Sequence, residues 1–205
     1  MTIRLHRGDL PDLSHYRVSA VAVDTEAMGL DPHRDRLCVV QLSPGDGSAD
    51  VVQLPAGQTR APNLTKLLAD AAILKIFHFA RFDLAVLQNA LGVMPAPVYC
   101  TKIASRLART YSDKHGLKDL VRELLGIDLS KQQQLSDWGA EALSDAQVAY
   151  AASDVLHLHA LKEKLGAMLA REGRQELAAS CFRFLPDRAR LDLAGWAGED
   201  IFAHS

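Results

Sequence analysis

The sequence predicts an α/β fold, a mixed sheet with three antiparallel strands plus parallel strands, flanked by helices. Apolar runs at 18–24, 37–42 and 49–54 follow one another closely, separated by Asp31-Pro32 and by Pro44-Gly45-Asp46-Gly47. Turn residues between short apolar runs are the mark of antiparallel hairpins. A further run at 73–79 lies between two helical stretches, the pattern of an α/β chain. From Thr101 onward the spacing of apolar residues is mostly helical.

Taken in order, residues 2–5 read as a short first strand, before the three meandering strands. Residues 62–70 read as a helix. The strand at 73–79 passes at once into a helix that runs through Asn89, and residues 98–99 form a short last strand. Ser144 is placed to cap a helix that begins near Asp145 and runs to about Glu172. Its apolar positions Val148, Val155, Leu158, Leu161 and Leu165 recur at helical spacing. There is no internal repeat, low-complexity segment or linker, so the 205 residues are read as a single domain, with a core over about 18–165.

Composition narrows the function classes. Apolar residues make up 48%, ordinary for a globular chain. No apolar run approaches a membrane span, and the N-terminus lacks the apolar core of a signal peptide. Cys38, Cys100 and Cys181 are odd in number and lack metal-ligand spacing, so a reducing cytoplasm is expected. The net charge of −2 is unusual for a binder of long nucleic acid, whose affinity rests on Lys and Arg neutralising phosphates. The cations Lys102, Arg106, Arg109, Lys114, His115 and Lys118 form a loose set, equally suited to a solvated helix face. Few phosphate contacts imply a short substrate.

The chemistry lies in four carboxylates and a tyrosine. Asp24 and Glu26 end the first buried run, and residues two apart on a strand share a face. Two carboxylates on one face repel, and a divalent cation is the usual reason for keeping them together. Phe82-Asp83 opens a helix, where an acid also suits the positive helix end. Tyr150 and Asp154, four apart on a helix, project together. Each piece has an ordinary alternative: a solvated turn for Asp24 and Glu26, core packing for Phe82 and Tyr150. The set in this order is far more specific than its parts.

Asp24-x-Glu26, Asp83 and Tyr150-x-x-x-Asp154 resemble the three motifs of the DEDD 3′-to-5′ exonucleases, in the subgroup that carries tyrosine. The sister subgroup has histidine five residues before the last aspartate, where this chain has Ala149. Asp24-Thr-Glu-Ala-Met-Gly-Leu30, His78-Phe-Ala-Arg-Phe-Asp83, His115-Gly-Leu-Lys118 and Leu129–Trp138 are similar to the ribonuclease D branch, over about residues 18–165. Ribonuclease D continues into further helical domains. A chain ending at Ser205 is expected to have none, and so is most similar to the short nano-RNase C type of oligoribonuclease.

The resemblance implies an RNase H-like fold and two divalent metal ions, Mg²⁺ or Mn²⁺. It implies that Asp24 bridges both ions, that Glu26 and Asp154 complete the site on the nucleophile side, and that Asp83 holds the second ion, partly through water. Two such ions serve both ends of an in-line phosphodiester displacement. Tyr150 would touch the attacking water, orienting it or relaying its proton. A phenol is too weak a base at neutral pH to act alone.

Met28, Gly29 and Leu30 follow the acid pair directly. Gly29 would let backbone approach a ligand, and in similar enzymes the residue at Leu30 wedges against terminal bases. His78 and Phe82 flank Asp83 as further candidates for substrate contact. Lys131, Gln134 and Trp138 occupy the loop before the Tyr150 helix, and loops often carry such contacts. His157 and His159 need no metal role.

The expected activity is a metal-dependent 3′-5′ exoribonuclease that cuts short single-stranded RNA, dinucleotides included, to 5′-mononucleotides. Short DNA is a further candidate substrate. Ribonuclease D-like trimming of tRNA or other structured precursors is the alternative. A catalytically silent nucleic-acid-binding module is a third reading, against which stands the intact set of acids. The tail 181–205 carries Phe182, Phe184, Leu185, Leu191, Leu193, Trp196, Ile201 and Phe202. Pro186, Gly195 and Gly198 argue against one continuous helix there. Its apolar side chains need burial, on the chain's own core or against another subunit. A homo-oligomer is expected, in the form of a ring of many subunits with its active sites facing a confined interior.

Overall fold

A computed structural model describes residues 2–130, 132–133 and 135–204. Among them lies a six-stranded sheet in the order β1-β4-β3-β2-β5-β6. Its strands are β1 (Thr2–Arg7), β2 (Ala20–Ala27), β3 (Leu37–Ser43), β4 (Ser48–Gln53), β5 (Leu74–Phe77) and β6 (Val98–Cys100). The meander β2–β3–β4 is antiparallel, while β1/β4, β2/β5 and β5/β6 are parallel. This is the expected mixed sheet. The first acidic strand runs on through Glu26 to Ala27, so Glu26 as well as Asp24 lies within β2, near its C-terminal end. Strands β3 and β4 are buried along their whole length, which is why they read as near-continuous apolar runs rather than alternating ones.

The helices are α1 (Pro62–Ala69), α2 (Ala80–Leu91), α3 (Thr101–Ala108), α4 (Leu117–Leu125), α5 (Asp145–Leu156), α6 (Leu158–Arg171) and α7 (Gln175–Leu191). Ser144 caps α5 as expected. Its side chain accepts from the Gln147 N–H, and Gln147 accepts in return from the Ser144 N–H, a full capping box. The predicted helix 145–172 is two helices, because His157 breaks the α5 ladder with φ −105° and ψ −5°. The apolar spacing survives the break: Val155, Leu158, Leu161 and Leu165 are all fully buried.

In the tail, α7 continues through Pro186 to Leu191, and the chain then makes a wide turn over Asp192–Trp196. The real interruption is at Gly195, with φ 107°, a backbone open mainly to glycine. Tail residues Phe182, Leu185 and Ala189 are buried in the core, while Trp196, Ile201 and Phe202 are exposed. Cys38 and Cys100 are free and buried, and Cys181 is free and half-buried. Among the described residues no helix is long and apolar enough to cross a membrane.

Candidate active site

Strand β2 supplies the floor of the site. Asp24 and Glu26 project from one face of it, and Asp154 arrives from α5, which packs across β1–β4. One carboxylate oxygen from each of Asp24, Glu26 and Asp154 lies within 4.8 Å of the other two. Thr25 points to the other face. There its hydroxyl donates to Asp83 Oδ1 at 2.7 Å, tying the buried acid at the start of α2 to the strand. The amide of Gln41 on β3, directly opposite Asp24 in the strand register, donates to Asp24 Oδ2 at 3.1 Å. These bonds fix the rotamers of two acids from behind.

The electrostatics are those of a site short of positive charge. Burial first, then Asp83, Asp154 and Glu26, push the Asp24 carboxyl well above its ordinary range. Burial, then Asp154 and Asp83, raise Glu26 to about 8. Burial raises Asp83 to about 7, against the pull of the Thr25 hydroxyl, and Asp154 to about 7, against that of Tyr150. Tyr150 is also pushed up, by burial and then by Asp154, Glu26 and Asp24, so its phenol stays protonated. Its ring packs against Trp138 at 6.0 Å between centroids.

Oxygen-only donors, mutually repelling and within 4.8 Å, suit a hard divalent cation such as Mg²⁺ or Mn²⁺. The predicted acids therefore divide into a three-residue cluster and Asp83, which is buried at the start of α2 and raises the Asp24 carboxyl through its charge.

Above the acids opens a cleft of about 480 Å³, within the range of small-ligand sites. Met28, Gly29 and Leu30 form one wall, Phe82 stands on α2, and Leu135, Ser136, Trp138 and Tyr150 close the remaining side. Leu30 is 84% exposed and Met28 61%, so neither side chain is folded into the core. The space beside Gly29 is filled by the Asp35 carboxylate, which a Cβ would overlap. Its smallness serves loop closure: Asp35 Oδ2 accepts from the Asp31 N–H at 3.0 Å, across the base of the loop that presents Leu30.

His78 is outside this cleft. Its Nδ1 meets the Thr101 hydroxyl at 2.9 Å, and burial, then Lys102, lower it to about 3, so it is a neutral bracing group in this state. Lys131 and Gln134 lie outside the described residues. Among the loose cations, Arg109 is fully buried, bonded to Ser105, to the Lys114 carbonyl and to Glu123, so it is no surface phosphate contact. Thr25, Gln41, Leu135 and Ser136 were not foreseen. Gln41 had a signal, a lone amide inside the apolar run 37–42.

Residues 13–170 match the family described as 3′-5′ exonuclease. The chain belongs to the 3′-5′ exonuclease family. Its RNase H-like fold and hydrolase chemistry follow from that membership. The chain is similar over its full length to NrnC of Brucella melitensis: 64% identical to the Mg²⁺-bound structure, at a TM-score of 0.97, with 100% of both chains covered. The same protein with bound pGG is 65% identical, at a TM-score of 0.98, with the same coverage. The RNase D structure from Escherichia coli is 26% identical, at a TM-score of 0.82, over 93% of this chain and 51% of that one. Ribonuclease D of Gluconacetobacter diazotrophicus is 39% identical over 169 residues, which is 82% of this chain and 42% of that protein. The chain thus spans about half or less of the length of the ribonuclease D proteins it matches, but all of NrnC.

Proposed function

We propose that this exonuclease takes very short single-stranded RNA, dinucleotides included, and releases 5′-mononucleotides from the 3′ end with two divalent cations. The carboxylate cluster of Asp24, Glu26 and Asp154, set under a cleft walled by Leu30, is the observation that carries this reading. The pGG-bound relative supports it, as does the net charge of −2, which leaves little provision for a long phosphate backbone.

Asp24, Glu26 and Asp154 would hold the cation on the nucleophile side, and Asp24 with Asp83 the other. When bound, such cations supply an acidified water and countercharge for the departing oxygen. The chain's own groups do the rest. Thr25 and Gln41 keep Asp83 and Asp24 in place, so little reorganises on binding. Tyr150 keeps its proton on Oη and orients the attacking water as a hydrogen-bond partner, its ring steadied by Trp138. Leu30 and Phe82 offer apolar surface to bases without reading their edges, so cleavage is insensitive to sequence.

We assign Met28, Gly29 and Leu30 to the substrate wall, with Phe82 facing them. Lys131 and Gln134 remain candidates for substrate contact from the loop before α5. Short DNA fits the same backbone chemistry. We place the enzyme in a reducing cytoplasm, consistent with three free cysteines, and as a homo-oligomer, since the tail leaves Trp196, Ile201 and Phe202 exposed.

The test is hydrolysis across substrate lengths at equal concentration in Mg²⁺ or Mn²⁺. Dinucleotides are expected to be cut at least as fast as 20-mers, to 5′-monophosphates. Preference for a folded tRNA precursor would favour the ribonuclease D-like alternative. Absence of hydrolysis at every length would point to a binding module.

A further inference from the structure

The two walls of the cleft come from separate parts of the chain, and the C-terminal segment ties them together from behind. One wall is the loop after β2, residues 28–36, which presents Met28 and Leu30. The other is the first turn of α2, which presents Phe82 and carries Asp83. Arg81, the neighbour of Phe82, makes a two-pronged pair with Asp192: Nε to Oδ2 at 2.5 Å and Nη2 to Oδ1 at 2.7 Å. Its Nη2 also donates to the Ala197 carbonyl at 2.7 Å. Arg188 braces the same carboxylate at 2.7 Å and caps the turn by donating to the Trp196 carbonyl, also at 2.7 Å. One residue beyond Asp192, the Leu193 carbonyl meets His33 Nε2 at 3.0 Å. His33 belongs to the Leu30 loop. A second strut joins the walls directly, from Asn89 Nδ2 of α2 to the Pro32 carbonyl at 2.6 Å.

We infer that Asp192 and the turn around it position the substrate cleft, setting the gap between Leu30 and Phe82 and thereby the preference for very short RNA. Fork-to-fork Arg–carboxylate pairs fix orientation as well as distance. Here one such pair sits one residue from Phe82, while the adjacent carbonyl holds the opposite wall. Loss of the tie leaves the loop held to α2 through the Asn89–Pro32 strut, and its tip at Leu30 is 84% exposed, with little packing of its own. A looser gap grips a dinucleotide less well but admits a longer strand more readily. Asp192 and His33 belong neither to the lining of the cleft nor to the acid cluster, so they are positioning residues.

The inference rests on the short-RNA reading above, and the experiment separates the two. Steady-state kinetics are measured on full-length protein in Mg²⁺, with a 5′-phosphorylated GG dinucleotide and a 5′-phosphorylated 10-mer, beside thermal melts. Asp192→Ala is expected to raise KM for the dinucleotide at least tenfold while kcat stays within about twofold. Its preference for dinucleotide over 10-mer, as a ratio of kcat/KM, should fall at least fivefold. Asp192→Glu should restore much of it. His33→Ala, which cuts only the loop side of the tie, should move KM and the length ratio the same way with little change in melting. That variant decides the matter if Asp192→Ala folds poorly. Unchanged KM and length ratio in folded variants would overturn the inference and leave the proposed function standing. So would kcat losses that are equal on both substrates and track the melting temperature. A wild-type enzyme inactive on dinucleotides would overturn both.

Discussion

The five predicted catalytic positions gather around one strand, yet they are unequal in what holds them. Burial among acids pushes the Tyr150 phenol up, so it keeps its proton, and in the proposed mechanism it orients the attacking water rather than removing a proton on its own. Tyr150→Phe should therefore lower kcat about 10²-fold, the scale of one lost acid-base contact, with cation affinity little changed. Rapid-quench turnover and a cation titration would check it, and normal turnover would make Tyr150 a packing residue. Glu26 gives a sharper test. Its carboxyl, raised from 4.5 to about 8, favours the folded protein only while protonated. That stability is fully present below about pH 4.5 and is lost as the pH rises through about 8. In EDTA, the melting temperature of wild type relative to Glu26→Gln should therefore fall steadily between those limits. Saturating Mg²⁺ should abolish the trend by screening the acids. A flat difference in EDTA would mean the acids do not strain one another. These residues were legible because their spacing reports the strand and helix faces that present them. Gln41 and Thr25 were harder to find, since each serves the site only through a partner far along the chain, 17 and 58 residues away.

Element by element, local signals located what local physics decides. The Ser144 capping box and the turns between β2, β3 and β4 follow from residue type alone. The break at His157 does not, because the buried stripe continues across it and no glycine or proline marks the spot. Nor does α7's passage through Pro186: one proline removes a single helix hydrogen bond, and the burial of Phe182, Leu185 and Ala189 on either side holds the helix together. The parallel pairing of β1 with β4 was also hidden. It is secured by Asp50 on β4, nearly buried, which accepts from Arg4 at 2.7 and 2.9 Å and from the Tyr16 hydroxyl at 2.6 Å, and meets His6 Nε2 at 2.7 Å. These partners outweigh burial and hold the Asp50 carboxyl at about 2, below its ordinary 3.8. A depressed carboxyl stabilises the fold above its unfolded value, and that stability is lost as the pH falls through about 2. Asp50→Ala should cost about 2–3 kcal/mol at pH 7, the scale of a lost hydrogen-bonded charge, read by urea denaturation. It should also flatten the acid limb of the stability curve between about pH 4 and 2. Activity of the folded fraction should be unaffected, because Asp50 lies on the strand pair away from the cleft.

At the scale of the whole molecule, the tail has two kinds of side chain, and they predict separable roles. Asp192, Leu193 and Ala197 face the chain's own cleft walls through Arg81 and His33. Beyond them, Ile201 is 44% and Phe202 76% exposed, with the Phe202 ring 5.9 Å from that of Phe184, itself on the outer side of α7. Trp196, 43% exposed, lies on the turn between them. Aromatic clusters of this kind are favoured in interface cores, and closed symmetric assemblies are the common result. Full-length protein should therefore sediment as a homo-oligomer. A chain ending at Ala197 discards Ile201 and Phe202 but keeps the Arg81–Asp192 pair, so it should dissociate while retaining KM for a dinucleotide. A chain ending at Leu185 discards both features, and should lose assembly and dinucleotide grip together. If the oligomer is a ring that confines the active sites, dissociation by the first truncation should also open the enzyme to longer RNA, raising kcat/KM on a 20-mer with no change on a dinucleotide. A monomeric full-length protein would remove the tail as an interface. An oligomer that survives both truncations would place the subunit contact elsewhere on the surface and leave the tail's work entirely within its own chain.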